Sequence, residues 1–277
     1  MQNETTPGRR APFDVMKLVI VSDLHLVAPG ETLFGLDPLE RLEACIGDIN
    51  ANHADADLVV FAGDLTDDGR ADAYAALADR LGFLLPPHRL MLGNHDDRAA
   101  FRQVFADAPE IDGFLQSRAD IGGMRLIFLD TLWPGHVAGQ LCDRRLAWLD
   151  EQLASVADVL MFLHHPPMPI GIPSLDACRL SDPDALLVLL KARGNVRHLF
   201  AGHVHRLSHG NWDGIPFTTV RGTSHQSALR FDGPHAISFE ASAYSIVLAG
   251  RKGVVVHTQE FDAKRPGASM PASAVMA

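Results

Sequence analysis

Short, unbroken apolar runs alternate along the chain with longer stretches in which apolar residues recur every three or four positions. The runs are LVIV at 18–21, LVVFA at 58–62, RLML at 89–92, RLIFL at 125–129, VLMFL at 159–163 and HLFA at 198–201. Such continuity predicts strands covered on both faces. Between the first two runs, Asp37-Pro38 is followed by Leu39, Leu42, Ile46 and Ile49. An N-cap, a proline at the first helical position and an apolar stripe together predict a helix. Asp143 with Leu146, Leu149 and Leu153 repeats the pattern, as does Asp182-Pro183 with Leu186, Leu187 and Leu190 before Gly194 closes the turn. Strand–helix alternation predicts an α/β fold.

After about residue 211 the pattern changes to closely spaced β segments, IPFTTV, AISFE, YSIVLA and VVVHTQEF, with no room for helices between them. The expected organisation is a loose N-terminal arm at 1–14, a catalytic core at 15–210, antiparallel β segments at 211–262 that complete a second sheet or form a small cap, and a flexible tail at 263–277. The alternation at Ile246, Val247, Leu248, Val254, Val255 and Val256 suggests pairing with another subunit, hence a homodimer or larger homo-oligomer.

The polar residues that follow the apolar runs carry the chemistry. Five runs end in Ser22-Asp23-Leu24-His25, Gly63-Asp64, Gly93-Asn94-His95-Asp96, His164-His165-Pro166-Pro167 and Gly202-His203-Val204-His205, where open α/β sheets place their ligands. Each string alone is open to a plain reading as a turn or a strand stopped by proline. In this order they offer more imidazole, carboxylate and amide donors than one divalent metal needs. A two-metal site follows, with Asp64 as the candidate bridge and the ions about 3.5–4 Å apart.

Charge narrows the partners. With 24 Lys+Arg against 34 Asp+Glu the net charge is −10, a poor match for DNA or RNA. Cys45, Cys142 and Cys178 fall in no disulfide or zinc-ribbon spacing, so a reducing, cytoplasmic setting is expected. No run approaches a membrane span.

The ordered set Asp23-x-His25, Gly63-Asp64, Gly93-Asn94-His95-Asp96, His164 and Gly202-His203-x-His205 resembles the calcineurin-like metallophosphoesterase superfamily over roughly residues 17–205. Gly63 to Gly69 lacks the arginine of the protein phosphatases' GDxxDRG, and Asn94-His95-Asp96 replaces their GNHE. The chain is therefore more similar to class III cyclic nucleotide phosphodiesterases and their glycerophosphodiesterase relatives. Gly222-Thr223-Ser224-His225-Gln226 resembles a stretch of those relatives, which makes His225 a substrate-side candidate.

The resemblance implies a four-layer αββα sandwich with a C-terminal antiparallel β extension. It also implies two metal ions per subunit, drawn from manganese, iron in either oxidation state, zinc or cobalt. Asp23, His25, Asp64 and His205 would hold one; Asp64, Asn94, His164 and His203 the other. Asn94 and His95 would contact substrate, and His95 would stabilise the transition state or protonate the leaving alkoxide while a metal-bridging hydroxide attacks phosphorus. His165 is read as a supporting or structural residue.

The expected substrate is a small phosphodiester, most readily a cyclic nucleotide, with a glycerophosphodiester as the alternative. A DNA nuclease is disfavoured by the charge, and a non-enzymatic scaffold by the complete ligand set. Phe34, Trp133, His225 and Phe231 are candidates to line a purine pocket, although Phe34 is read as a core or interface group.

Overall fold

The computed structural model describes residues 15–154 and 156–261. The expected arm at 1–14, residue 262 of the β region and the tail at 263–277 lie outside the described residues. The chain runs β1 (Met16–Val21), α1 (Pro38–Asn52), β2 (Leu58–Ala62), α2 (Ala71–Leu81), β3 (His88–Met91), α3 (Arg98–Val104), β4 (Ser117–Ile121), β5 (Met124–Phe128) and α4 (Asp143–Leu153). It continues through β6 (Val159–Leu163), α5 (Pro173–Asp176), α6 (Asp184–Arg193), β7 (Val196–Ala201), β8 (Ser208–Trp212) and β9 (Ile215–Thr219). A short pair, β10 (Gln226–Ser227) and β11 (Ile237–Ser238), precedes the closing strands β12 (Ala243–Gly250) and β13 (Gly253–Glu260).

Two large sheets result, ordered β13-β12-β1-β2-β3 and β4-β5-β6-β7-β9-β8, beside the two-stranded β10-β11. Because strand side chains alternate between faces, each central strand serves two cores at once. Leu18, Ile20 and Val60 meet Leu126, Phe128 and Phe162 between the sheets. Their neighbours Val19, Val21 and Phe61 pack outward against Leu42 and Ile49 of α1 and Tyr74 and Leu77 of α2. On the far side Ile127, Met161 and Leu199 pack against Trp148 and Leu149 of α4 and Leu186 and Leu190 of α6. The four layers are therefore helix, sheet, sheet, helix, and burial on both faces explains the continuous apolar runs.

Local signals set the helix ends. The Asp37 carboxylate accepts from Leu39 and Glu40 N–H at 2.9 and 3.1 Å with Pro38 in the first turn, as expected. Gly194 closes α6 in the left-handed conformation at φ 64°. Two caps differ by one residue from expectation: Asp143 and Asp184 open α4 and α6, with Cys142 and Pro183 as caps that make no side-chain bond.

The longer β segments after residue 211 are divided between the two large sheets. β9 joins the second sheet parallel to β7, whereas β12 pairs antiparallel with β1 and extends the first sheet, with β13 on its outer side. The free side of β1 accepts β12, and Val247, Val254 and Val256 then cover the core between the sheets. Ile246, Val247, Val254 and Val256 of the apolar alternation are thus used within the chain, while Val255 stays 52% exposed.

A buried ion pair ties the layers together. Arg98, the first residue of α3, donates Nε and Nη2 to Asp130 at 2.8 and 2.7 Å just beyond β5, and Leu115 and Leu132 N–H complete that carboxylate. The Asp130 side chain is fully buried. Asp130→Asn removes one partner of a desolvated pair, and we expect about 3 kcal/mol of lost stability in urea denaturation. A loss within the range of an ordinary surface substitution would show that Arg98 finds other acceptors.

Candidate metal centre

Every polar cluster follows the C-terminal end of a strand: Asp23 and His25 after β1, Asp64 after β2, Asn94 and His95 after β3, His164 after β6, and His203 and His205 after β7. Parallel strands within each sheet deliver all of them to one edge of the sandwich. Asp23, His25, Asp64 and His205 form one buried group whose candidate donor atoms lie within 4.8 Å of one another, and His164, His165 and His203 form a second.

Asp64 stands between the two. Its Oδ2 lies 3.1 Å from His164 Nε2 and 3.6 Å from His25 Nε2, while Oδ1 accepts the His95 N–H at 2.9 Å. Asp23 is divided in the same way: Oδ1 accepts the His203 N–H at 3.0 Å and Oδ2 has no hydrogen-bond partner. Asn94 Oδ1 and His164 Nε2 are also buried without a hydrogen-bond partner. His25 Nε2 and His205 Nε2 approach to 3.0 Å, two ring nitrogens aimed at each other. Buried acceptors left unpaired and converging are what a cation requires, so the donor set fits two metal ions.

The opposite ring nitrogens are all held. His164 Nδ1 donates to Ala62 O at 2.8 Å, His203 Nε2 to Cys178 O at 2.9 Å and His205 Nδ1 to His225 O at 3.0 Å. His25 Nδ1 contacts Asp67 Oδ1 at 2.9 Å. Such outer contacts set the tautomer and leave the inward nitrogen as a lone-pair donor. His165 is different: Nδ1 meets Thr131 Oγ1 at 2.8 Å and Nε2 meets Val137 O at 3.1 Å, so both nitrogens are occupied and the ring supports its neighbours.

Backbone strain is concentrated here. Asp23, His25, Asp64, His203 and His205 all have φ between 46° and 69°, in the left-handed region that non-glycine residues seldom adopt. Sharp turns at the strand ends swing each side chain inward. Two glycines permit the approach: a Cβ at Gly93 would overlap Asp64 Oδ1 and His164 Nε2, and one at Gly202 would overlap Ser22 Oγ across the sheets.

Burial on its own raises the Asp23 and Asp64 carboxyls and lowers the imidazoles, but pairing outweighs it. His205 holds Asp23 well below the carboxylate range, and His164 does the same for Asp64. Against its own desolvation, Asp64 holds His164 up to about 9. For His203 and His225, burial and neighbouring imidazoles outweigh the pull of nearby carboxylates and push both down to about 3.

His95, half-exposed, is the member of the group that faces solvent, and its Nδ1 donates to Asp67 O at 2.6 Å. His225 is 8% exposed, with its ring 4.4 Å from that of His205, so its backbone carbonyl supports the site as well as its position beside it.

Sequence reasoning assigned no role to Asp67 or Asp96. Asp96 accepts from the N–H groups of Leu65, Thr66 and Gly93 and from Tyr74 Oη, splinting the loops after β2 and β3, and burial with the nearby Asp64 charge pushes it up to about 6. Its position in the string that contains Asn94 and His95 was the available signal. Phe34, read as a core or interface group, is 52% exposed, which excludes the core.

The calcineurin-like phosphoesterase profile matches residues 16–207. The chain belongs to the calcineurin-like phosphoesterases. Within the family it is 40% identical over 255 residues to a probable cyclic nucleotide phosphodiesterase of Rhodopseudomonas palustris, covering 89% of this chain and 93% of that one. It is 33% identical to a probable glycerophosphodiester phosphodiesterase of Arcobacter nitrofigilis, covering 88% and 92%. A dimetal phosphatase from Danio rerio shares the fold at TM-score 0.67 and 16% identity, covering 90% of this chain and 99% of that one. No helix among the described residues is long and apolar enough to cross a membrane.

This phosphoesterase should release protons when metal binds. A group with a pKa of about 9 is protonated at neutral pH, so His164 must lose its proton before its ring nitrogen can act as a donor, and apparent affinity rises with pH up to about 9. Calorimetry of manganese binding in two buffers of different ionisation heat reads the proton count, and a count of zero at pH 7 contradicts this. Gly93→Ala should lower both stability and bound metal, because the added methyl overlaps the Asp64 backbone nitrogen as well as Asp64 Oδ1 and His164 Nε2; full metal content by elemental analysis would refute it.

Proposed function

We propose that the protein is a binuclear-metal phosphodiesterase that hydrolyses cyclic nucleotides. The observation that carries this reading is Asp64, whose one oxygen contacts donors of both clusters while His95 stands exposed beside them. The printed name of the 40% identical relative, which matches along nearly its full length, supports the substrate class.

Asp23, His25, Asp64 and His205 would hold one ion, and Asp64, Asn94, His164 and His203 the other. Bound there, the metals supply Lewis-acid activation of water and offset charge on the phosphoryl oxygens. That local charge suits an anionic substrate despite a net charge of −10. His95 presents its ring at the mouth of the site. With Nδ1–H donated to the Asp67 carbonyl, Nε2 is the atom free to meet substrate. Protonated there, it passes the proton to the leaving oxygen as the P–O bond breaks, and water added to phosphorus completes a monoester. Asp67 holds both His25 and His95, so it fixes the proton donor relative to the first ligand group.

A glycerophosphodiester remains the second reading, supported by the name of the 33% identical relative. Three free cysteines, one of them buried, support a reducing cytoplasmic setting. The outer edge of β13 supports assembly with a second copy, which light scattering reads.

Metal-stripped and manganese-restored protein should be compared on 3′,5′-cAMP, 2′,3′-cAMP, glycerophosphocholine and bis-p-nitrophenyl phosphate. We expect metal-dependent turnover, with a cyclic nucleotide well above glycerophosphocholine. His95→Asn should lower kcat by about 10²–10⁴-fold at unchanged metal content. Preference for glycerophosphocholine would promote the second reading, and metal-independent turnover would sink both.

A further inference from the structure

Phe34 combines three features that conflict in a purely structural residue. It is 52% exposed. Its φ is +52°, and the other positive-φ, non-glycine positions among the described residues are all Asp or His. It also lies against the candidate site, with its ring 5.0 Å from His225 at 74° and His225 in turn 5.2 Å from His25 and 4.4 Å from His205.

The local sequence explains the conformation but not the residue. Leu33 and Leu36 exchange both backbone hydrogen bonds at 2.9 Å, so Phe34 and Gly35 are the two central residues of a tight hairpin turn. Both have positive φ, at 52° and 76°. This is the arrangement in which Asn-Gly is favoured and a bulky aromatic is disfavoured. The turn therefore tolerates strain to hold an exposed ring one ring-width from the ligand groups. Strain retained beside a site is grounds for a functional hypothesis.

We propose that Phe34 is a specificity-determining residue that stacks a planar aromatic group carried by the phosphoester, such as a nucleobase. This rests on the phosphodiesterase reading and extends it to the organic half of the substrate. His225 backs the ring from the side, leaving an exposed face to receive the planar group. A glycerol substituent offers neither a π-face nor a cation, so the platform favours nucleotides over glycerol esters. Base–aromatic stacking corresponds to roughly tenfold or more in affinity.

The test is equilibrium binding by calorimetry to the manganese-loaded full chain, with AMP and glycerol 3-phosphate as probes. Wild type, Phe34→Asn, Phe34→Trp and the remote exposed control Phe83→Asn are compared. Wild type should favour AMP. Phe34→Asn should reduce the AMP to glycerol 3-phosphate affinity ratio by about tenfold. Phe34→Trp should keep the ratio or raise it, and Phe83→Asn should leave it at the wild-type value. Because Asn suits the turn, the melting temperature of Phe34→Asn should equal or exceed that of wild type, which separates lost stacking from misfolding. An unchanged ratio in Phe34→Asn, or no preference for AMP in wild type, overturns the proposal. If the ratio behaves as expected but cyclic nucleotides are not hydrolysed, the stacking role stands and the cyclic nucleotide reading fails.

Discussion

Asp64 places a carboxylate at the seam between two sheets, out of reach of water, in contact with imidazoles delivered by both of them. A charge so placed is costly unless fully partnered, and its partners must come from strands far apart in the chain. The two-sheet architecture meets that demand. It presents the strand ends at one edge, and its three apolar cores hold that edge still. Remove the sandwich and the donors are scattered over some 180 residues, from Asp23 to His203.

The outer contacts follow from the same constraint. An imidazole with two free nitrogens can take either tautomer, and only one presents a lone pair inward. Carbonyls of Ala62, Cys178 and His225, with the Asp67 carboxylate, remove that ambiguity ring by ring. The loop after β9 and the segment around α5 thereby become parts of the site although neither supplies an inward donor. His165 shows the converse case, since a ring with both nitrogens committed contributes packing and orientation alone.

Much of this was legible in the sequence because the chemistry is concentrated at strand ends. Continuous apolar runs marked six strands, five of them central and β3 at a sheet edge, and the polar strings behind them marked the site edge. What escaped has physical reasons. A backbone carbonyl carries no side-chain signature, so the contacts from Cys178 and Ala62 left no trace. Helix α2 is rich in alanine and short in large apolar residues, with Tyr74, Leu77 and Leu81 forming a sparse stripe. β8 is a polar edge strand that reads as a loop. The topology after residue 211 depends on which sheet has a free edge, and local pattern does not encode that. Phe34 does not lie in the core, because burial of an aromatic is set by the turn beneath it, not by its hydrophobicity.

Strain links the site to the rest of the fold. Five left-handed residues at about 1–3 kcal/mol each represent an internal cost that the surrounding structure must offset. The turns that carry it sit where donors must point inward within a few ångströms of the strand end, so relaxing a turn would rotate its donor away from the centre. Asp96 shows how the strain is restrained: its carboxylate binds three N–H groups from the loops after β2 and β3 and so clamps the turns that aim Asp64 and Asn94. The same logic reaches the rim, where a paired hairpin holds Phe34 in a conformation its side chain disfavours. A cation bound among the inward donors would partner buried atoms that otherwise lack a hydrogen bond, so metal occupancy and the stability of this edge should be coupled.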